Sequence, residues 1–260
     1  MKVRPNRNPT PFSRPGVDPR IRFITQALDA LSRKISDRGF LATPDMSMRD
    51  VIAQCGTKSD SGDINVFFSE GTWTFRDNFT ISRPRVYLWG IPGATVFERH
   101  VDNSKPMLTL SGREVSLSGI RFEDSKEDTG AAIKVTGGRS SVSQCVFDDC
   151  YRAIEVAGGS GQRLLDNYVI SCRATDFAIK ITGGATDGIA SGNVIEQASL
   201  AADIFLDSGC ERWVLNGNQT FNGNIRYTET DGHVESGNSG SAAAETVTLE
   251  TDVISREVFR

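Results

Sequence analysis

IASGNVI at 189–195 and VLNGNQT at 214–220 are two copies of one phrase. The phrase recurs in altered form as VSLSGIRF (115–122), VSQCVF (142–147), LLDNYV (164–169) and VESGN (234–238). Its anchor slot holds Ile120, Cys145, Asn167, Asn193, Asn218 and Asn238, at spacings of 25, 22, 26, 25 and 20 residues. A second short strand keeps the same register at 108–110, 133–135, 154–156, 179–181, 204–206 and 225–227. Segments such as Ile-Lys-Val and Ile-Glu-Val alternate, so one face is dry and the other wet. Three of these strands close on double glycines (137 and 138, 158 and 159, 183 and 184) and a fourth on Ser208 and Gly209. Such glycines supply positive-φ corners. A period this short, built of strands and corners without a helix, predicts a solenoid of coiled parallel strands.

The asparagines have a physical reason to be there. In coils stacked about 4.8 Å apart, equivalent side chains lie over one another. An Asn amide carries donor and acceptor together, so a column of them can bond up and down the stack. Asn also tolerates the left-handed backbone of a tight corner. Because Ile120 and Cys145 share the slot, it is expected to face inward.

With the repeat in view, the chain resembles the pectate-lyase-like family of β-helix proteins. INVFFSEGTWTFRDNFTI (64–81) is similar to that family's first coil, a strand, a Gly-Thr turn and two further strands; VYLWGIPGATVF (86–97) is similar to its second. The resemblance covers roughly 46–240. It implies an all-β, single-stranded, right-handed parallel β-helix with about seven or eight coils, a rod of roughly 35–40 Å at the inter-strand spacing. It implies little about activity, because one fold hosts many.

Composition narrows the class. The hydrophobic fraction is 38% and no apolar run approaches the length of a membrane span. Residues 1–17 are polar and proline-rich, unlike a signal peptide. The five cysteines show no metal-ligand spacing. Cys150 and Cys172 each lie five residues past an anchor, which predicts a buried thiol column rather than a disulfide.

The first fifth of the chain differs. Five of the nine prolines fall within residues 1–19, and residues 1–22 carry six bases (Lys2, Arg4, Arg7, Arg14, Arg20, Arg22) against Asp18. Residues 1–17 are read as an extended anchoring arm, with Arg4, Arg7, Arg14, Arg20 and Arg22 as partner-binding groups. An acidic protein surface is the expected partner in preference to nucleic acid. Residues 18–45 are read as an amphipathic helix and linker, with Asp18 as N-cap, Pro19 in the first turn and Gly39 closing it. Ile21, Ile24, Leu28, Leu31 and Ile35 follow an a/d spacing that suits three strands, or equally a helix lying on a neighbour or on the rod. A second helix is expected at 48–55, with Ser47 and Asp50 as a capping box and Met48, Val51, Ile52 and Cys55 plugging the first coil. After 46–240, Ser239 to Glu245 read as linker and 241–260 as a tail strand.

Candidate chemistry rests on carboxylates three and four residues past the anchors: Glu123 with Asp124, Asp148 with Asp149, and Glu196. On adjacent coils they would lie about 5 Å apart, a spacing that suits an acid–base pair or a calcium ion. Acids on the wet face of a solenoid also serve solubility alone. Polygalacturonase-like relatives of the resembled family carry an Asn-Thr-Asp, an Asp-Asp, a Gly-His-Gly and an Arg-Ile-Lys; only Asp148 and Asp149 match here. His100 and His233 stand apart, so neither a zinc site nor a Ser-His-Asp arrangement is indicated, and no metal or cofactor is expected. Trp73, Trp89, Tyr87 and Trp213 offer stacking faces for sugars, with Tyr87 and Trp89 on one strand parity and expected to be buried together.

Rod, arm, trimerising helix and missing catalytic set together resemble a bacteriophage virion component. The expectation is a structural virion protein (capsid decoration, head fibre or tail spike), a homotrimer without membrane contact, bound to other virion proteins through its arm. The alternative is a polysaccharide-degrading tailspike lyase or hydrolase acting on host surface glycan through Glu123, Asp148, Asp149 and Glu196.

Overall fold

A computed structural model of the chain describes residues 39–57, 62–100, 105–123, 130–173, 177–196, 202–220, 225–228 and 232–240. The arm, the first amphipathic helix and the tail strand of the sequence reading lie outside these residues. So do Arg4, Arg7, Arg14, Arg20, Arg22, Ile21, Ile24, Leu28, Leu31 and Ile35.

The described chain winds as a right-handed parallel β-helix. Its strands stack into a first sheet of nine strands, a second of eight and a third of seven, with every pairing among them parallel. In each turn the chain visits the first, second and third sheet in order. About six turns are well sealed, a little fewer than the seven or eight expected. Beyond them the third-sheet strand Ile225–Tyr227 is half-exposed and Val234–Ser236 is exposed.

Alternation builds the core. In the third sheet Leu108, Ile133, Ile154, Ile179, Ile204 and Ile225 pair in one register, the column predicted from the repeat. The first five are fully buried. In the second sheet Trp73, Phe97, Phe122, Phe147, Val169, Ile195 and Thr220 form the inner column, tapering from aromatic to small. Phe122 and Phe147 stack at 5.2 Å and 13°. Each buried aliphatic or aromatic side chain contributes about 1.5–3 kcal/mol, much of it offset by ordering the chain. The first sheet's inner column runs Val66, Leu88, Leu117, Val142, Leu164, Ala190, Leu215 and ends on Glu235. Partial burial pushes the Glu235 carboxyl above its ordinary value. A charge in that slot ends the apolar stack.

The asparagine column forms. Asn167 Nδ2 donates to Asn193 Oδ1 at 2.9 Å, Asn193 to Asn218 at 2.9 Å, and Asn218 to Asn238 at 3.1 Å. Asn167, Asn193 and Asn218 are completely buried. The left-handed residue, however, is the one before each anchor: Gly119, Gln144, Asp166, Gly192, Gly217 and Gly237 all have φ between 53° and 71°. The corner turns first, and the Asn then enters from ordinary backbone.

Other expectations need correction. Gly158, Gly159, Gly183, Gly184 and Gly209 do adopt positive φ, but Gly137 and Gly138 do not. Gly137 is required by close approach, since a Cβ there would sit 1.9 Å from the Gly112 carbonyl oxygen. Residues 39–45 are not simply linker. Gly39–Ala42 is a strand that pairs with Ile64–Phe68 and starts the first sheet, so Gly39 opens a strand. Gly71 and Thr72 likewise open the strand Gly71–Phe75. At the far end Ser239–Gly240 pairs with Gln219–Thr220 and extends the second sheet, where linker was expected.

The plug helix α1 runs Met48–Thr57. Asp50 N donates to Ser47 Oγ at 3.2 Å, the N-cap half of the expected capping box, and Ser47 Oγ donates to Asp50 Oδ2 at 2.6 Å, so the carboxylate meets the hydroxyl side chain. Met48, Val51 and Cys55 are buried in the core at the rod's first coil.

Candidate functional site

The wet face of the second sheet gathers the candidate carboxylates. In strands Thr95–Arg99, Arg121–Glu123 and Val146–Asp148 the central phenylalanines turn inward, so the residues on either side turn out. Glu98, Glu123 and Asp148 therefore occupy one column in consecutive turns. Glu98 belongs to this column although the repeat gave no sign of it.

The column is occupied by an arginine. Arg121 Nε approaches Glu123 Oε1 at 2.5 Å, and its Nη2 donates to Asp148 Oδ2 at 2.7 Å. The other Asp148 oxygen accepts from Ser171 Oγ at 3.0 Å. Both oxygens of Asp148 thus have a protein partner. The three ion-paired side chains are about one-third exposed (33%, 35% and 29%), so each pair is worth no more than about 1 kcal/mol.

Asp149 does not join Asp148. It occupies a left-handed corner at φ 53°, where Arg173 Nε donates to its Oδ1 at 2.7 Å and Arg173 Nη2 to its carbonyl at 2.8 Å. Glu196 is also apart. Ile170 takes the matching slot in the turn between, and Tyr168 donates its hydroxyl to Glu196, which raises the phenol above its ordinary value. The structure thus brings together Glu123 and Asp148, adds Glu98 and Arg121, and separates Asp149 and Glu196. Among the described residues no group of three or more His, Cys, Asp or Glu is arranged to hold a metal ion.

Glycoside cleavage needs one carboxyl that keeps its proton, usually by standing in an apolar pocket. This column offers a guanidinium and solvent. The stacking faces are also fewer than expected: Trp73 and Trp213 are buried, the latter over Gly188 with its indole N–H donating to Ala185 O at 2.9 Å. Tyr87 and Trp89, expected to be buried together, point outward, because Val86 and Leu88 hold the inward parity.

The thiols are shielded from solvent. All five cysteines are buried thiols, and Cys150 lies in register beside Cys172. Burial pushes Cys145 up to about 12 and raises Cys172 and Cys210 as well.

No protein-family model matches the sequence, and no curated protein matches it. Solved structures do share the fold. The pectin methylesterase PemA from Erwinia chrysanthemi superposes with a TM-score of 0.52 at 13% identity, over 79% of this chain and 90% of that one. A GH87 α-1,3-glucanase catalytic domain in complex with tetrasaccharides superposes with a TM-score of 0.53 at 9% identity, over 78% of this chain and 39% of that one. ORF18 of Geobacillus virus E2 gives 0.49 at 9% identity, over 86% and 64%. At these identities the likeness defines a pectate-lyase-like right-handed parallel β-helix, a class of fold and not an activity.

Proposed function

We propose that this chain is a structural protein of a bacteriophage particle, a capsid decoration, head fibre or tail spike component. In this reading it is a homotrimer held to other virion proteins by its basic N-terminal arm. The observation that carries the reading is the state of the wet face, where Arg121 and Arg173 engage the carboxylates that catalysis would need. A rod with a continuous buried core and arginine-paired acids is suited to persisting, not to turnover. The proline-rich arm with Arg4, Arg7, Arg14, Arg20 and Arg22 supports attachment, since its positive charge suits an acidic protein surface. Deleting residues 1–22 should leave a folded rod, its strand signal in circular dichroism retained, that no longer joins particles. Retained incorporation would count against the reading.

The second reading is a tailspike enzyme that cleaves host surface glycan. It is favoured by one feature, the alignment of Glu98, Glu123 and Asp148 in consecutive turns. Release of reducing ends or unsaturated sugars from such a glycan, abolished by Asp148→Asn, would establish it over the structural role.

A further inference from the structure

One slot recurs just before each first-sheet strand. In successive turns it holds Val115, Ser140, Gln162, Gly188, Trp213 and His233. Val115, Ser140, Gln162 and Trp213 are buried, whereas His233, in the last described turn, is only partly so. Its side chain does what Ser140 does earlier in the column. Ser140 Oγ accepts from the Val115 main-chain N–H at 3.4 Å, and His233 Nδ1 accepts from the Trp213 main-chain N–H at 3.2 Å. A main-chain N–H can only donate, so this contact requires a lone pair on Nδ1 and puts the neutral ring's proton on Nε2. A second proton would set N–H against N–H, take this acceptor from the Trp213 amide and bring a charge into the slot. Little apolar contact holds the turn in compensation. Val234–Ser236 is exposed, and the residue it places in the inner column is Glu235. Among the described residues its hold is mostly hydrogen bonds: Val234 N–H to Trp213 O at 2.9 Å, Ser239 N–H to Asn218 O at 2.9 Å, Ser236 Oγ to Asn216 Oδ1 at 2.9 Å, and the Asn238 amide with Asn218 and Leu215.

We propose that His233 is a pH-sensitive latch: its neutral imidazole holds residues 232–240 against the rod, and protonation releases them. The proposal concerns described turns alone and rests on neither the trimer nor the arm. The groups around the ring set the sign. From the third sheet Tyr227 stacks on the imidazole at 5.2 Å and 20°, and a phenol ordinarily titrates near about 10. From the preceding turn Arg212 lies against Gly232, but its guanidinium is held by Asp187 and Glu211. On the ring's own strand Glu235 shares its inward parity, and burial raises that carboxyl. The two titrating groups oppose each other. A ring that must stay neutral in the closed turn gives stability that is full above about 6.5 and is lost as pH falls from there. Glu235, raised in the closed turn, gives stability that is present below about 4.3 and is lost as pH rises through its raised value. Between those limits neither group favours closure fully, so the turn is loosest in mildly acidic solution. Release bares the edge of Val214–Asn216, whose main-chain groups are then open to pairing with a strand of another chain.

Amide hydrogen exchange on the full-length chain tests the latch, with rates corrected for the intrinsic effect of pH on exchange. The reporters are the Val234 and Ser239 N–H groups, bonded to Trp213 O and Asn218 O. Glu235→Gln removes the opposing carboxyl and isolates the ring. In that variant protection at both amides should fall by about tenfold between about pH 7.5 and about pH 5.5, while the amides of Ile179 and Ile181 keep theirs. His233→Asn keeps an acceptor near the place of Nδ1 and cannot titrate, so with Glu235→Gln its profile should be flat. His100→Gln removes the only other histidine and should leave the fall in place. A flat profile in Glu235→Gln overturns the proposal, whatever His233→Asn does. So does a fall that persists in His233→Asn, or one that disappears with His100. An equal loss at Ile179 overturns it as well, for then the whole rod loosens and not its last turn. Attachment to particles is read separately, by the arm deletion.

Discussion

At the scale of the residue, the buried asparagines show how a polar group is kept in an apolar stack at no net loss. Asn193 and Asn218 each use both amide protons and both acceptor positions, while Asn167, at the start of the run, uses both protons and accepts from the Cys145 main-chain N–H. Asn193 Nδ2 donates to Asn218 Oδ1 and to Leu164 O, while its Oδ1 accepts from Asn167 Nδ2 and from the Asn167 main-chain N–H. The side chain thus bonds three turns together. Asn193→Leu keeps the volume and removes all four bonds, stranding the Asn167 N–H and the Leu164 carbonyl in the core. Each such group costs about 1–3 kcal/mol, so a loss of about 3 kcal/mol or more is expected in urea unfolding. A loss under about 1 kcal/mol would mean that neighbouring groups re-pair and the ladder is not cooperative. The ladder was legible from the sequence because one side chain repeats at one slot. Its corner was only partly legible: Gly119, Gly192, Gly217 and Gly237 precede their anchors, but Gln144 and Asp166 take the same left-handed position and break the pattern.

At the scale of the element, legibility follows burial and repetition. The third-sheet strands could be read from the sequence because each alternates and each repeats its predecessor, so period and register agree. Ile179 sits in that column between Ile154 and Ile204 and is fully buried. Ile179→Asp should therefore cost about 4 kcal/mol or more, since it places an unpaired carboxylate in the dry stack. A shift within about 1 kcal/mol in a denaturant titration would show that the strand does not face inward. The edge strand Gly39–Ala42 escaped the sequence reading for the opposite reason: it pairs on one side only and precedes the repeat. The candidate site was half legible. Asp148 and Asp149 are neighbours in sequence and looked like a pair, but the strand ends between them, leaving one on the wet face and the other at a left-handed corner. Arg121 and Arg173, which decide what those acids can do, come from turns on either side. A linear reading has no means of pairing residues 27 and 24 positions apart across the stack.

At the scale of the whole molecule, the rod is one-dimensional, and each turn touches only the turn before and the turn after. Stability in such a stack is a sum of turn and interface contributions, and opening begins at the ends. The far end is the weaker: its inner column closes on Glu235, and Val234–Ser236 is exposed. The near end is closed by α1. The buried thiols are spaced along this axis, with Cys55 under the helix, Cys145, Cys150 and Cys172 in the middle turns, and Cys210 toward the far end. Because only an opened turn exposes its thiol, pulsed alkylation read by mass spectrometry should modify Cys210 and Cys55 first and Cys145 and Cys150 last. A single common rate for all five would instead mean that the rod opens as one unit. The same thiols set a pH limit on the fold. Burial holds Cys145 at about 12, whereas an unfolded thiol releases its proton near about 8.5. The folded chain therefore keeps a proton that the unfolded chain gives up. Stability from this group is fully present below about 8.5 and is lost progressively as pH rises from there through about 12. Melting temperature should fall across that window in the native chain, and fall less in Cys145→Ser, in which no thiol titrates at that position.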